Sequence, residues 1–234
     1  MPSNSDPIGF AIQTYLKTKK PLDILVHCDL CDDDIIPSEV LFRAYDLMPE
    51  PEKIALSKSK GKILDVGAGA GVHSLELIKR GFDVVAIDIS AGAVEYMISV
   101  GINAKKSSFL NFKNEKFDTI LMLMNGIGVA GKLSNLKRTL EHAKQLLNKG
   151  GSIYCDSSDV KYLYEEEDGS YWMDLVSEYY GNFRFQLSFK QVKSTWFDWL
   201  YVDYDSLHEI AVNVGFTTRK IYEKDNHYLA ELTL

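Results

Sequence analysis

The sequence predicts an α/β protein built on a doubly wound, mostly parallel seven-stranded sheet that finishes in an antiparallel hairpin. Three observations carry that expectation. From Gly61 onward, short apolar runs alternate with amphipathic helical stretches. One run, KFDTILMLM, is almost continuously apolar, as a central strand covered on both faces must be. The final stretch, FTTRKIYEKDNHYLAELTL, reads as two strands around a Lys-Asp-Asn turn.

The elements follow in order. Residues 1–60 read as a helical lead-in, or lid. FAIQTYLK is a helix, CDDDIIP an acidic loop, and SEVLFRAYDLM a second helix capped by Ser38 and stopped by PEPEK. The main domain is expected over residues 61–234. KILDV is its first strand, HSLELIKR a helix ended by Gly81, FDVVAIDI the second strand, and AGAVEYMISV a helix ended by Gly101. INAKKSSF is a weaker third strand with its loop, and KFDTILMLM is the fourth. SNLKRTLEHAKQLLN is a helix with Ser134 as its cap and KGG as its stop, and SIYCDSSD is the fifth strand. Residues from about 160 to 202 are first aromatic and acidic and then alternate like paired strands, an inserted cover. DSLHEIAVNV is a helix closed by Gly215.

Composition narrows the function classes. The chain has 234 residues, 46% of them hydrophobic, enough for one sizeable core. A net charge of −7 gives no basic face for a phosphate backbone, so no nucleic-acid partner is expected. No run approaches a membrane span and no leader pattern opens the chain, so a cytoplasmic protein without a membrane partner is expected. Three cysteines are too few for a disulfide framework. His27, Cys28, Cys31 and three carboxylates lie together in HCDLCDDD, but one C-x-x-C without a second pair is no structural zinc site, and a solvated acidic loop with partly buried thiols is expected.

The chemistry sits in KILDVGAGAGVHSLELIKRGFDVVAID. Gly67, Gly69 and Gly71 let the chain turn sharply after a strand and leave room for a flat, bulky ligand. A dinucleotide turn would place its third glycine or an alanine at position 72, which is Val. Asp88 ends the second strand, where a carboxylate can accept both hydroxyls of a ribose.

With FDTILMLMNG and the terminal hairpin, LDVGAGAG and Asp88 make residues 61–234 resemble the class I S-adenosylmethionine (SAM)-dependent methyltransferases. LFRAYDLMPE, MNGIG and DSSD look like an uncharacterised bacterial group within them. The resemblance implies a Rossmann-like methyltransferase fold and SAM as cofactor, held by Asp65, Gly67, Ala68, Gly69, Gly71, Asp88, Ile89 and Asn125. Asp65 would hold the amino-acid end, or bond its own loop's amides. Where related chains carry an acid after the third strand, this one has Ser107 and Ser108, so adenine falls to Ser108 and the ring of Phe109, unless Phe109 belongs to the core. Asn125 ends the fourth strand, beside the reacting methyl, and Asp156 and Asp159 end the fifth. These three are the candidate catalytic residues.

Arg43 is a candidate for a carboxylate of SAM or of substrate, and Trp196, with Trp172 and Trp199, for the acceptor pocket. Packing is the competing role for the tryptophans and a solvated Arg for Arg43. His73, at a helix start, is expected to cap or face solvent. The MNGI stretch differs from the NPPY-like pattern of many amino-group methyltransferases acting on nucleic acid or protein, and the expected acceptor is a small molecule. A nicotinamide oxidoreductase and a non-catalytic SAM-binding protein are the other classes weighed.

Overall fold

The protein is described by a computed structural model covering residues 5–20, 22–165 and 178–234. The lead-in contributes α1 (Pro7–Thr18), β1 (Asp23–Cys28), β2 (Asp34–Pro37) and α2 (Glu50–Lys58). The main unit follows with β3 (Lys62–Val66), α3 (Val72–Lys79), β4 (Asp83–Asp88), α4 (Ala91–Ser99), β5 (Asn103–Lys106), β6 (Phe117–Met122), α5 (Leu133–Leu146) and β7 (Leu147–Ser158). The cover segment holds β8 (Asn182–Phe189), β9 (Val192–Lys193) and β10 (Phe197–Leu200). The chain ends with α6 (Tyr204–Val214), β11 (Thr217–Lys224) and β12 (His227–Thr233).

Seven strands form one sheet in the order β11-β12-β7-β6-β3-β4-β5. β3 to β7 pair in parallel, and β12 runs antiparallel to both β7 and β11. The alternation of β6 explains its unbroken hydrophobicity. Leu121, with Leu123 just past the strand, packs on one face with Leu56 of α2 and Leu77 of α3. Ile120 and Met122 pack on the other with Leu140 of α5 and Leu207 of α6.

The lead-in is only partly helical. DILVHC and DIIP are strands, because their β-branched residues pair with each other and with β8, more than 150 residues away along the chain. A second sheet results, ordered β10-β8-β1-β2 with β9 on β8, antiparallel throughout. SEVLFRAYDLM forms two 3-10 turns, Ser38–Phe42 and Tyr45–Leu47, with Arg43 extended between them. Ser38 caps no helix; its Oγ accepts from the Leu22 amide at 3.0 Å. PEPEK starts α2 rather than stopping a helix, since prolines are tolerated in a first turn where amides have no intrahelical partner. α5 begins one residue before Ser134. The thiols of Cys28 and Cys31 are joined in a disulfide, which the C-x-x-C spacing permits by bringing their Cα atoms to 5.4 Å.

Candidate active site

The glycine turn joins β3 to α3 with all three glycines left-handed, at φ of +69°, +56° and +76°. A Cβ on Gly67 would meet nothing within 4 Å, and one on Gly69 only Leu41 at 3.6 Å. Free space thus lies against this backbone, the cradle a bulky flat ligand requires. Gly71 serves packing: a Cβ there would lie 2.5 Å from Ile102 and 3.1 Å from Met97. Ala68 turns its methyl into the small cluster under α4 and presents only backbone at the turn.

Asp88, at the carboxyl end of β4, is half-buried. One oxygen accepts from the Gly69 amide and the other from the Ser90 amide, both at 2.8 Å. Burial pushes its carboxyl up to about 6 against those two bonds, and the nearby Asp6 and Asp65 add to the rise. Ile89 beside it is 73% exposed, an apolar side chain left at the rim of the cradle. Asp65 is buried and accepts from Ser74 Oγ on α3 at 2.6 Å. Ser108 starts a 3-10 turn, and its carbonyl accepts from the amides of Asn111 and Phe112. Phe109 packs in the core with its ring edge-on to His142, and offers the rim no exposed face.

Arg43 is not a free cation. Its guanidinium donates to both Glu52 oxygens at 2.6 Å, and Glu52 also meets His73 Nε2 at 2.7 Å. All three side chains are buried, so His73 neither caps α3 nor faces water. Burial alone would raise the Glu52 carboxyl, but the bonds and charges of His73 and Arg43 hold it below its ordinary range. Arg43 Nε, also buried, has no hydrogen-bond partner among the described residues. Two sequence expectations are corrected here: His73 is a buried partner, and Arg43 is committed to Glu52.

Beyond β6, Met124 and Asn125 are both left-handed, at φ of +64° and +55°, a conformation that non-glycine residues adopt at a cost. Asn125 Oδ1 accepts from Ser158 Oγ at 3.2 Å, and Ser158 Oγ lies 3.0 Å from His227 Nδ1. His227 Nε2 lies 3.1 Å from Asp156, whose other oxygen accepts from the Gly126 amide at 3.3 Å. Asn125 and Asp156 are therefore brought together, linked by two residues that motif reasoning did not single out. Register alone could have found them: β12 runs back along β7 and sets His227 opposite Ser158. Asp159 is tied elsewhere, accepting from Tyr180 OH at 2.8 Å and from the Lys161 amide.

The second sheet rests over these strand ends. Trp199 lies so close to Gly128, in the turn after Asn125, that a Cβ there would come within 2.2 Å of its indole nitrogen. Trp199 packs in an aromatic cluster with Phe183, Phe185, Phe197 and Tyr201. Trp196 stands apart from that cluster, 41% exposed and beside the Arg184 guanidinium, so the tryptophan on the strand-end side is Trp199. Trp172 lies outside the described residues. At the other end α1 is latched to α4: Asp6 accepts from Ser90 Oγ and the Gly92 amide, each at 3.0 Å. Gly9 and Gly92 allow that approach, since a Cβ on either would come within 2.7 Å of the other's Cα.

Comparison with known proteins agrees with this geometry. The family described as "Methyltransferase domain" matches residues 40–220. A crystal structure of a SAM-dependent methyltransferase from Bacteroides fragilis in complex with S-adenosyl-L-homocysteine (SAH) is 41% identical. It superposes with a TM-score of 0.92 over 100% of this chain and 97% of that one. Ribosomal RNA large subunit methyltransferase E of Wolbachia sp. subsp. Brugia malayi (strain TRS) is 32% identical over 56% of this chain and 63% of its own length. Glycine/sarcosine N-methyltransferase of Aphanothece halophytica is 26% identical over 45% and 43%. The chain thus spans less than two thirds of the length of either curated relative. Glycine cradle, strand-end carboxylate, strand order and family match converge, and the chain belongs to the methyltransferase-domain family as a SAM-dependent methyltransferase.

Proposed function

We propose that the chain methylates a small molecule held between the ends of β6 and β7 and the aromatic sheet above them. The observation that carries this reading is the cover: α1 latched at Asp6, Leu41 against the glycine turn, and Trp199 on Gly128 each lie near the strand-end side of the sheet. An aromatic cover resting on the strand ends suits a small acceptor better than a polymer. The relatives' names point both ways, one to ribosomal RNA and one to glycine and sarcosine. A net charge of −7 weighs against RNA.

SAM, when bound, supplies an electrophilic methyl carbon on a sulfonium. In this reading Asp88 would hold the ribose, the backbone of Gly67 and Gly69 would lie against the ligand, and Ile89 and Ser108 would hold its adenine. Asp65 acts through Ser74 by fixing α3, and the buried Arg43–Glu52–His73 group fixes the loop that carries Leu41. Asn125 orients the acceptor, Asp156 acts from behind it, and Asp159 anchors Tyr180 and with it the cover. The protein's main contribution is alignment of nucleophile and methyl carbon in line, with water excluded. Methyl-labelled SAM and a cell extract split into small-molecule, protein and nucleic-acid fractions test this. Label is expected in the small-molecule fraction, and label confined to RNA or protein would overturn the acceptor class.

A further inference from the structure

We propose that Ser158 and His227, backed by Asp156, form a proton relay that takes the proton an amine acceptor must lose before it can be methylated. The proposal rests on the small-molecule reading and narrows it to amines. An amine reaches the site at neutral pH mostly as an ammonium, which has no lone pair to attack with. The rim residues suit such a cation. Asn125 Oδ1 and Ser158 Oγ are half-buried oxygens, and the carboxylate of Asp156 lies behind them, 3% exposed.

The chain of contacts has a direction. Asp156 is too buried to meet an acceptor, but His227 Nε2 lies 3.1 Å from it and His227 Nδ1 3.0 Å from Ser158 Oγ. A carboxylate facing Nε2 favours the proton there and leaves the Nδ1 lone pair pointing at the serine hydroxyl. The bound ammonium takes over Asn125 Oδ1, and the Ser158 hydroxyl hydrogen turns from Asn125 to His227 Nδ1. The ammonium gives its proton to Ser158 Oγ as the serine gives its own to Nδ1, and the resulting imidazolium is held by Asp156. The freed nitrogen lone pair then forms the bond to the methyl carbon, while the carbon–sulfur bond breaks and its electron pair returns to sulfur. Ser158 is the residue that touches the acceptor, and His227 and Asp156 act through it. Lys224, in register with His227 on β11, is 70% exposed beside Asp225. Asp159, next to Ser158, is bonded to Tyr180.

Two measurements on the full chain test the relay. The first needs no acceptor: nitrogen NMR of the His227 ring, saturated with SAH, from about pH 5 to 9. The neutral ring is expected to carry its proton at Nε2, with Asp156→Asn disturbing that preference. A ring doubly protonated across the range, or one protonated at Nδ1 when neutral, would overturn the relay, since neither can accept a proton from Ser158. The second uses labelled SAM with a mixture of primary and secondary amines, phenols and thiols. His227→Gln should bind SAH as wild type does, methylate amines about 10²–10⁴-fold more slowly at pH 7, and recover toward pH 9 as free amine becomes available. A loss that does not recover with pH, or label on phenols or thiols alone, would overturn the proposal. Absence of label in the small-molecule fraction of the extract would instead overturn the reading beneath it.

Discussion

Asp88 shows how a binding residue can be held at a cost to its own fold. Its carboxyl is raised to about 6, so protonation is easier in the folded chain than in the unfolded one. The stability this group contributes is therefore complete below about pH 4 and lost as pH rises through about 6. Relative to Asp88→Ala, the ligand-free wild type should lose about 1–3 kcal/mol between pH 4 and 7, measured by denaturant unfolding at each pH. An unchanging difference would mean that Asp88 ionises as freely folded as unfolded. Glu52 has the opposite sign. Its carboxyl lies below its ordinary range, so its contribution is present above about pH 4.5 and lost as pH falls through its lowered value. Glu52→Ala leaves Arg43 and His73 buried without their partner, and a loss of about 3–5 kcal/mol at pH 7 is expected. A loss under about 1 kcal/mol would show the pair to be dispensable.

At the scale of elements, the cover is a set of close contacts that can be broken singly. Asp6 both caps α1, through the Gly9 amide at 2.9 Å, and latches it to α4. Asp6→Ala should cost about 1–2 kcal/mol and speed amide exchange along α1 more than along β6. SAH should slow exchange in α1 and β8 of the wild type, and equal exchange with and without ligand would count against a lid. Gly128→Ala would drive a methyl into Trp199 and should lift β10 from the turn, costing about 1–3 kcal/mol. The parallel strands and their helices were legible because their signals are local: apolar runs, capping residues and glycine stops within one stretch of sequence. β1 and β2 were not, because β1 exists through pairing with the distant β8 and β2 through pairing with β1, and a short DIIP run beside three aspartates reads as a loop until its partner is known. The same limit hid His227, whose meaning depends on the β12–β7 register.

Across the whole molecule, the glycine turn, Asp88 and a mostly parallel sheet closed by an antiparallel hairpin could be read from sequence, since a left-handed turn after a buried strand leaves a spaced-glycine pattern. The buried Arg43–Glu52–His73 group could not, because nothing local tells a solvated Arg from one whose carboxylate partner lies on the next helix. Among the described residues no helix is long and apolar enough to cross a membrane. The net charge of −7 leads us to expect no appreciable RNA affinity at about 150 mM salt, which a filter-binding titration against salt would check. The central claim is that SAM lies in the cradle between the glycine turn and Asp88, and calorimetric titration of SAH into wild type and Asp88→Ala tests it most directly. The account predicts that the variant stays folded and binds about 10- to 150-fold more weakly, the equivalent of roughly 1.5–3 kcal/mol for hydrogen bonds to a charged group. Equal affinity in a folded Asp88→Ala protein would contradict it.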